Sequence, residues 1–288
     1  MAMDVRRVAI LGLGLMGGSL GYALSRLAKP PQIVGYAHRP EVRARARKIG
    51  VVDEIHDSPS AAVRGADFVV LCTPVAALEG LLADAAESML PGAVVTDVGS
   101  TKRSIVAAAG RLLPKGVHFV GSHPMAGSEK KGIDFARPDL YDGAACIVTP
   151  VAATHPAALA SVETFWLKLQ CRVHRMDPDK HDEILAYVSH LPHLLAVNLV
   201  SIQPEGAADI AAGGFRDMTR IASGDPVMWR DIFLDNRDAL RRSIMSVRGE
   251  LDRALALIDR GDAAELQAYL QAVKDKKQTF GTNQLPPI

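Results

Sequence analysis

Three glycines near the start of the chain constrain its fold more than any other feature. They are Gly12, Gly14 and Gly17, spaced as G-x-G-x-x-G between an apolar run of strand length and a helical pattern. In such a strand–turn–helix unit the first glycine permits the tight turn, the second lets a pyrophosphate approach the backbone, and the third lets helix and strand pack closely. The helix N-terminus offers free N–H groups to the phosphates, so this stretch predicts a dinucleotide-binding site. The predicted contact residues are Gly12, Leu13, Gly14, Leu15, Met16 and Gly17.

Two other interpretations of the N-terminal stretch are weaker. Arg6 and Arg7 before an apolar run are also typical of secretory and twin-arginine signal peptides. However, the chain has five glycines between residues 12 and 21, which would weaken a signal helix and break a membrane helix. No small-residue cleavage site follows the run. We therefore expect no membrane partner.

Composition indicates an ordinary globular chain of about two domains. The 288 residues are 48% hydrophobic and 23% charged, with a net charge of +1. A balance this close to neutral argues against a surface built for nucleic acid. The three cysteines, Cys72, Cys146 and Cys171, are far apart and form no C-x-x-C pair, so neither a disulfide framework nor a zinc site is expected. We expect core thiols in a reducing compartment and a cytoplasmic location.

Strand-like and helical segments alternate through the first part of the chain. Apolar runs of strand length at 32–37, 66–72, 93–97 and 117–121 alternate with helical patterns at 40–49, 75–89 and 102–112. This rhythm predicts an α/β fold with a Rossmann-type, doubly wound parallel sheet. Ligands of such sheets bind beyond the carboxyl ends of the strands. Thr73, residues 97–101 and residues 122–127 all follow predicted strands, so we expect them around one crevice, with Thr73 beside the cofactor.

The character of the chain changes near residue 177. Long helical patterns follow at about 178–203, 205–222, 226–259 and 262–279. We interpret residues 1–176 as a dinucleotide-binding domain and residues 177–288 as an all-helical C-terminal domain for substrate binding and dimerisation. Because this helical domain is so apolar, we expect it to pair with a second copy in a homodimer. Residues 281–288 are expected to fray, with no regulatory domain after them.

The end of the second predicted strand bears on the choice of cofactor. An NAD-binding fold usually places an acidic residue there, where it bonds the ribose 2′-OH. This chain has Ala37, His38 and Arg39 instead. The missing carboxylate removes repulsion of a 2′-phosphate, and the Arg39 guanidinium would hold that phosphate with its planar fork. We therefore predict NADP, with NAD as the alternative. A solvated helix face is the other interpretation of the basic residues that follow, Arg43, Arg45, Arg47 and Lys48.

The segment 121–130 contains the strongest candidate for a catalytic base. His123 lies where a predicted strand ends and is followed by a proline and small residues, in the sequence GSHPMAGSEK. A histidine in that place can face the nicotinamide, and its titration near neutral pH suits removal of a proton as hydride leaves the same carbon. Ser100, in the preceding loop DVGSTK, shares the crevice. It would fix the tautomer of His123 or bond a substrate hydroxyl.

Three histidines lie in the first helical pattern of the second domain. His181, His190 and His193 do not share one helix face, which argues against a helix-borne metal site, and no metal is predicted. Pro192 removes a hydrogen bond to the carbonyl of Val188 and should kink the helix. His193, just beyond the kink, is a candidate for the catalytic pocket, whereas His181 and His190 are interpreted as supporting or structural.

Two arginines and a tryptophan complete the candidate site. Arg216 and Arg220 are four residues apart after the pair Gly213-Gly214, so a helix would place them on one face. Such a pair suits a dicarboxylate substrate, and a surface salt bridge with Asp217 is the alternative. Trp229 would either wall the pocket or pack in the core.

Together these motifs resemble the prephenate/arogenate dehydrogenase family of tyrosine biosynthesis. The resemblance extends over nearly the whole chain, through the segments GLGLMGGS at 12–19, DVGS at 97–100, HPMAG at 123–127, SHLPH at 189–193 and GFRDMTR at 214–220. It implies an oxidative decarboxylation, in which hydride passes from C4 of a cyclohexadienol to the nicotinamide. Loss of the ring carboxylate as CO2 then makes the ring aromatic.

The resemblance also implies roles for particular residues. His123 would accept or polarise the proton of the C4 hydroxyl, and Ser100 would orient that histidine and the hydroxyl. Arg220 would hold a substrate carboxylate. Arg216 stands where many members of the family have lysine. The side-chain end of the pocket would be shaped by His193, Ser128 and Glu129.

Substrate and class alternatives stay open at this level. Glu129 would suit the amine of arogenate, whereas His193 resembles the prephenate-using members, and we favour prephenate slightly. Inhibition by tyrosine, if it occurs, would act at the active site. A two-domain β-hydroxyacid dehydrogenase is the alternative enzyme, although its catalytic lysine is not evident here. A non-catalytic NADP-binding sensor is the alternative outside enzymes, disfavoured by the intact His123 and Ser100.

Overall fold

A computed structural model describes residues 5–127 and 130–280 of the chain. The candidates Ser128 and Glu129 and the tail 281–288 lie outside the described residues.

Six parallel strands form the central sheet, in the order β3-β2-β1-β4-β5-β6. The strands are β1 (Arg7–Leu11), β2 (Gln32–Tyr36), β3 (Glu54–His56), β4 (Phe68–Leu71), β5 (Val94–Asp97) and β6 (His118–Phe119). The helices that connect them are α1 (Leu15–Ser25), α2 (Pro40–Ile49), α3 (Pro59–Val63), α4 (Val75–Ala86) and α5 (Arg103–Leu112). The predicted doubly wound sheet is confirmed, and β3 and α3 are additional elements that the sequence patterns did not predict.

The apolar strands divide their side chains between two cores, one on each face of the sheet. Val8 and Ile10 of β1 point into one core, and Ala9 and Leu11 point into the other; all four are fully buried. A strand covered by helices on both faces has no polar alternation, which is why these runs are continuously apolar.

A second, three-stranded sheet begins where one longer strand was predicted. Its strands are β7 (Gly121–Pro124), β8 (Ala145–Thr149) and β9 (Arg172–Arg175), and α6 (Pro156–Lys168) lies between the last two. β7 is antiparallel to β8, so His123 lies inside a strand of this second sheet and not in a loop. The prediction that residues 122–127 form such a loop at the end of a parallel strand is therefore wrong.

Hydrogen bonds at Ser122 explain why the chain leaves the first sheet here. Its N–H donates to Asp97 Oδ1 at 3.1 Å, and its hydroxyl donates to the Asp97 carbonyl at 2.6 Å. Trp166 Nε1 of α6 donates to the same hydroxyl at 2.9 Å. These bonds fix the chain at the carboxyl end of β5 and direct β7 towards β8.

The remainder of the chain is helical, as predicted, but its helices are more divided. They are α7 (Pro178–Leu185), α8 (Leu191–Ser201), α9 (Ala207–Ile210), α10 (Gly213–Thr219), α11 (Pro226–Asp235), α12 (Arg237–Arg260) and α13 (Ala263–Thr279). The single helix predicted over 205–222 is wrong, because two short helices and a 3-10 turn at Arg220–Ser223 occupy that stretch. The helix predicted over 226–259 is divided at Asn236.

A π-helical turn lies between α7 and α8, close to the proline at which a kink was predicted. It spans Ala186–His190, and Pro192 is the second residue of α8. By length and composition alone, the run Pro178–Ser201 could cross a membrane, with a mean hydropathy of 1.4 and a third of its apolar window buried. Core helices of soluble proteins meet the same criterion, and this run contains the buried polar residues His181 and Asp182.

One carboxylate joins the helical region to the sheet region. The N-terminus of α5 has no capping side chain of its own. Instead, Asp182 of α7 accepts hydrogen bonds from the backbone N–H groups of Lys102 at 2.8 Å and Arg103 at 3.0 Å. A carboxylate at this position also interacts favourably with the helix dipole. The contact holds α7 against the loop that contains Ser100.

We expect Gly17→Ala to destabilise the protein. A Cβ at residue 17 would lie 1.9 Å from the carbonyl oxygen of Gly12, so helix α1 would have to move away from the turn. Overpacking against backbone should lower the free energy of unfolding by at least about 2 kcal/mol, measured by urea denaturation.

The matched control for this prediction is Gly80→Ala. Gly80 is an exposed helical glycine of α4 with no atom within 4 Å of a Cβ, so alanine there should stabilise by about 0.5–1 kcal/mol. If both variants changed stability alike, the close packing of α1 on the turn would not be what requires a glycine at residue 17.

Candidate active site

The glycine loop has the geometry that a pyrophosphate requires. Gly12 has φ of +113°, and its N–H donates to the Tyr36 carbonyl at 2.9 Å, which fixes the turn after β1. Gly14 directly precedes α1, and a Cβ there would meet no atom within 4 Å. The first turn of α1 has no capping side chain and no acidic residue. Open space beside the positive end of a helix fits a dinucleotide phosphate.

The remaining residues of this loop differ in how deeply they are buried. Leu13 is buried in the apolar core, so only its backbone is available to a ligand, whereas Leu15 and Met16 are half-buried. Thr73 follows β4 and packs beside Gly12, and its buried hydroxyl has no hydrogen-bond partner among the described residues. The predicted place of Thr73 beside the cofactor stays a prediction.

The end of β2 presents basic side chains where the ribose of a dinucleotide would lie. Ala37 is buried, whereas His38 and Arg39 are exposed, and the nearest carboxylate oxygen to Arg39 Nε is 3.7 Å away, on Glu41. Arg43 Nη1 donates to the carbonyls of Ala37 and His38, both at 2.8 Å. Arg43 therefore holds the loop in place, and the interpretation of it as only a solvated surface charge is wrong.

A cavity of about 180 Å³ lies between β7, the loop after β5 and the helical region. The residues that line it are Ser100, His123, Met125, Ala126, Ser189, His190, Met228, Trp229 and Ile232. The structure thus brings together three of the predicted site residues, Ser100, His123 and Trp229. Residues from both the sheet region and the helical region contribute to the walls.

His123 is hydrogen-bonded through one of its two ring nitrogens. Its Nδ1 lies 2.9 Å from Nε2 of His181, whose Nδ1 lies 2.8 Å from Asp182 Oδ1. His181 thus occupies the Nδ1 side of His123, and the expectation that Ser100 fixes the tautomer or bonds a substrate hydroxyl stays a prediction. Burial, followed by the nearby His181, Lys102 and His190, holds the pKa of His123 well below the usual histidine range. A neutral imidazole in a cavity is suited to accept a proton.

A fully buried ion pair lies behind this histidine. Lys102 Nζ bonds to Asp97 Oδ2, and neither side chain is exposed. Asp97 also accepts from the backbone N–H groups of Gly99 at 2.8 Å and Ser122 at 3.1 Å. The carboxylate therefore shapes the loop that contains Ser100, while the lysine charge disfavours a second positive charge on His123.

The far wall of the cavity is aromatic. The ring of His193 stacks on Trp229 with 3.6 Å between centroids and 11° between planes. His193 is not among the residues that line the cavity but stacks on one that is, and its predicted place in the catalytic pocket stays a prediction. Burial lowers the pKa of His193. Its Nδ1 is buried without a hydrogen-bond partner among the described residues.

His190 is a cavity residue that sequence reasoning placed in a supporting role. Asn236 Nδ2 lies 3.1 Å from its Nδ1 and also donates to the Asp182 carbonyl at 2.7 Å. Because the amide N–H₂ can only donate, His190 Nδ1 accepts and Nε2 carries the proton. That Nε2 is buried without a partner among the described residues. Burial lowers the pKa of His190 to about 4, so the ring is neutral at physiological pH.

The two predicted arginines lie outside the cavity wall. Arg216 of α10 and Arg220 of the following 3-10 turn are both exposed. In the described part of the chain neither forms an ion pair, so the proposed surface bridge with Asp217 is absent there. The 3-10 turn packs on α8, and a Cβ on the next residue, Gly224, would lie 3.0 Å from His193 Cε1. The 3-10 turn therefore adjoins the aromatic wall, and neither arginine is among the residues that line the cavity.

No group of three metal-ligating side chains occurs within residues 5–127 and 130–280.

Comparison with known families gives one consistent result. The prephenate dehydrogenase nucleotide-binding domain family matches residues 20–175, and the prephenate dehydrogenase dimerization domain family matches residues 177–272. The chain belongs to the prephenate dehydrogenase family.

Individual relatives are similar over nearly the whole chain. A prephenate dehydrogenase of Bacillus subtilis is 36% identical over 276 residues, which are 93% of this chain and 74% of the relative. A prephenate dehydrogenase from A. aeolicus has a crystal structure in complex with hydroxyphenyl propionate and NAD+. It is 36% identical to this chain with a TM-score of 0.89, and the match covers 96% of this chain and 99% of the A. aeolicus chain. A Synechocystis arogenate dehydrogenase is 30% identical with a TM-score of 0.81, over 95% and 99% of the two chains.

This membership confirms the resemblance stated from the motifs and decides against the β-hydroxyacid dehydrogenase alternative. The chain is a dehydrogenase with a nicotinamide cofactor. Sequence reasoning missed the roles of Lys102, Asp182 and Asn236 in the site. Lys102 and Asp182 are visible in the sequence as charged residues next to predicted site residues, but no local pattern indicates that they are buried.

Proposed function

We propose that the chain oxidises and decarboxylates prephenate with transfer of hydride to NADP. The observation that carries the proposal is a buried, neutral His123 of β7 in a cavity shared with Ser100. Ser100 lies in a carboxyl-end loop of the parallel sheet, whose first turn fits a dinucleotide. Similarity to prephenate dehydrogenases over more than nine-tenths of the chain supports the choice of reaction.

The reaction divides between cofactor and protein. When bound, the nicotinamide supplies the acceptor for hydride from C4 of the substrate ring. His123 Nε2 takes or polarises the proton of the C4 hydroxyl, while Ser100 orients that hydroxyl by a hydrogen bond. The ring carboxylate leaves as CO2 and the ring becomes aromatic. Because aromatisation drives the reaction, the protein mainly aligns the reacting groups and excludes water.

The remaining candidates are proposed to bind the substrate. Trp229, backed by His193, would pack against the ring or side chain in the cavity. Arg220 is proposed to hold a substrate carboxylate from the rim, and Arg216 is a weaker candidate for the same role. Ser128 and Glu129 are proposed at the side-chain end of the pocket.

Prephenate and arogenate differ only at the end of the side chain. Arogenate has an amino group there, for which the carboxylate of Glu129 would be a partner, whereas His193 favours the keto acid side chain of prephenate. The relatives include one enzyme named for each substrate. We propose prephenate as the preferred substrate and arogenate as the alternative.

The test is the initial rate of cofactor reduction with prephenate or arogenate, each paired with NADP or NAD. We expect a clear rate with prephenate and a loss of about 10²–10⁴-fold in kcat for His123→Asn, which removes the base. Because burial lowers the pKa of His123, the base stays neutral at mildly acidic pH. The acidic limb of kcat/KM should therefore lie below the ordinary histidine range. Absence of turnover in all four pairings, from protein that still binds cofactor, would refute the proposed reaction.

The preference for NADP rests on the residues that end β2. Replacing Ala37 by Asp and Arg39 by Ala would restore a carboxylate for the ribose hydroxyl and remove the cation for a 2′-phosphate. We expect this double variant to shift the ratio of kcat/KM values from NADP towards NAD by at least about tenfold, as loss of a charge-assisted bond predicts. Arg47→Ala, an exposed arginine further along α2, is the control and should leave the ratio unchanged. A wild-type preference for NAD would contradict this assignment.

We also propose a nucleotide-binding domain over residues 1–176 and a helical dimerisation domain over 177–288. Most large apolar side chains that the described residues leave exposed lie after residue 177. On α12, Leu251, Leu255 and Ile258 are each more than half exposed and recur at helical spacing. A second copy of the chain would cover this stripe.

Light scattering on the intact chain tests the assembly. We expect a mass of twice the 30.8 kDa chain, and a shift to the monomer mass for the double variant Leu251→Glu, Leu255→Glu. Arg242→Glu changes charge on the opposite face of the same helix and should leave the dimer intact. A monomeric wild-type protein would exclude the homodimer.

A further inference from the structure

We infer that His181 and Asp182 are positioning residues that hold His123 with its proton on Nδ1 and its Nε2 lone pair directed to the substrate. The inference deepens the proposed function and rests on it for the role of His123 as base. Three side chains carry it, joined in one line by contacts of 2.9 Å and 2.8 Å. All three are buried, with exposed fractions of 8% or less.

The line begins at a carboxylate that is held in its charged form. Asp182 accepts from the backbone N–H groups of Lys102 and Arg103 and lies 2.8 Å from His181 Nδ1. Burial alone would raise the pKa of Asp182, but the hydrogen bonds from His181 and from these two N–H groups lower it below the usual value. An ionised carboxylate accepts hydrogen bonds and donates none.

The proton positions along the line follow from this starting point. Because Asp182 can only accept, His181 Nδ1 carries a proton. Burial lowers the pKa of His181, so its ring is neutral and its Nε2 has a lone pair. That lone pair faces His123 Nδ1 at 2.9 Å, so His123 Nδ1 must donate. The second nitrogen of His123 is then unprotonated, as a base at the cavity requires.

The same line stabilises the imidazolium that His123 becomes when it accepts a proton. Its Nδ1–H then donates as a charged group to His181, and such bonds are about twice as strong as neutral ones. The other titratable groups around His123 are His190 of the π turn, Lys102 with its partner Asp97, and Cys146 of β8. Lys102 and His190 oppose the new positive charge, and so would a charged His181. His181 favours the cation only as a neutral acceptor, the form in which the contact with Asp182 holds it.

His181 can be varied more cleanly than Asp182. Replacement of Asp182 would also remove the cap of α5 and disturb the loop that contains Ser100. Among the residues that the structure describes, the two ring nitrogens of His181 bond only to His123 and Asp182. In His181→Gln the side-chain oxygen can accept from His123 while the amide nitrogen donates to Asp182. In His181→Leu both contacts are lost.

The experiment compares wild type, His181→Leu, His181→Gln and the neighbouring exposed control Lys180→Ala. For His181→Leu we expect kcat to fall by about 10²-fold, with KM for substrate and cofactor changed by less than about threefold. We also expect the acidic limb of the pH profile of kcat/KM to lie at lower pH in His181→Leu than in wild type, since the cation of His123 loses its hydrogen-bond acceptor. His181→Gln should recover kcat to within about tenfold of wild type and restore the acidic limb.

A second readout is independent of turnover. Long-range 1H–15N correlation spectra of the chain labelled with 15N-histidine distinguish the two neutral tautomers, and His123→Asn identifies the signal of His123. We expect the Nδ1–H tautomer in wild type and His181→Gln, and a mixture in His181→Leu.

The outcomes separate the inference from the proposed function. The inference is overturned by an Nε2–H tautomer of His123 in wild type, by wild-type rates in His181→Leu, or by equal losses in the Leu and Gln variants. Should His181→Leu not fold, the wild-type and Gln spectra still decide. Wild-type protein that is inactive with every substrate and cofactor pair, yet shows the Nδ1–H tautomer, would refute the proposed function and leave the positioning intact.

Discussion

The carboxylate of Asp182 is the contact on which the rest of the site depends. It belongs to the first helix of the helical region, yet it caps a helix of the sheet region and lies against the histidine beside His123. A buried carboxylate is costly to desolvate unless its oxygens are fully bonded. Here each oxygen has a backbone donor, so the cost is offset only when the two regions are docked. Docking of the regions and alignment of the base are therefore a single event.

A second polar contact near Asp182 is also shielded from water. The Lys102–Asp97 pair is fully buried, and Asp97 bonds to the strand that contains His123. Removing one member of such a pair typically costs about 3–5 kcal/mol, whereas apolar replacement of both is often tolerated. The pair is thus poor evidence for stability as such. Its geometric effect is clearer, because it fixes both the Ser100 loop and the start of β7.

Local patterns in the sequence were sufficient for the doubly wound parallel sheet, apart from β3 and α3. The glycine spacing, the continuous apolar strands and the loops after β4 and β5 each depend on neighbouring residues, and Ser100, His123 and Trp229 do meet in one cavity. The change of sheet at Ser122 was not predictable in the same way, because β7 has only four residues and its partner β8 begins more than twenty residues later. Likewise, His123 and His181 are 58 residues apart, and nothing local to either indicates the other. Asn236 separates α11 from α12 although no glycine or proline marks the break. Its side chain bonds instead to the Asp182 carbonyl and to His190.

The π turn at Ala186–His190 has a consequence for the three histidines around it. Regular helical spacing would spread His181, His190 and His193 over unrelated faces. A π turn takes in one extra residue, so every later side chain is rotated by roughly 100° relative to an unbroken helix. With that rotation His181 lies behind the base, His190 lines the cavity and His193 supports its aromatic wall. The extra residue of the π turn therefore decides which way the histidines after it point. A chain one residue shorter there would keep the same histidines, but His193 would lie on a different face of the helix.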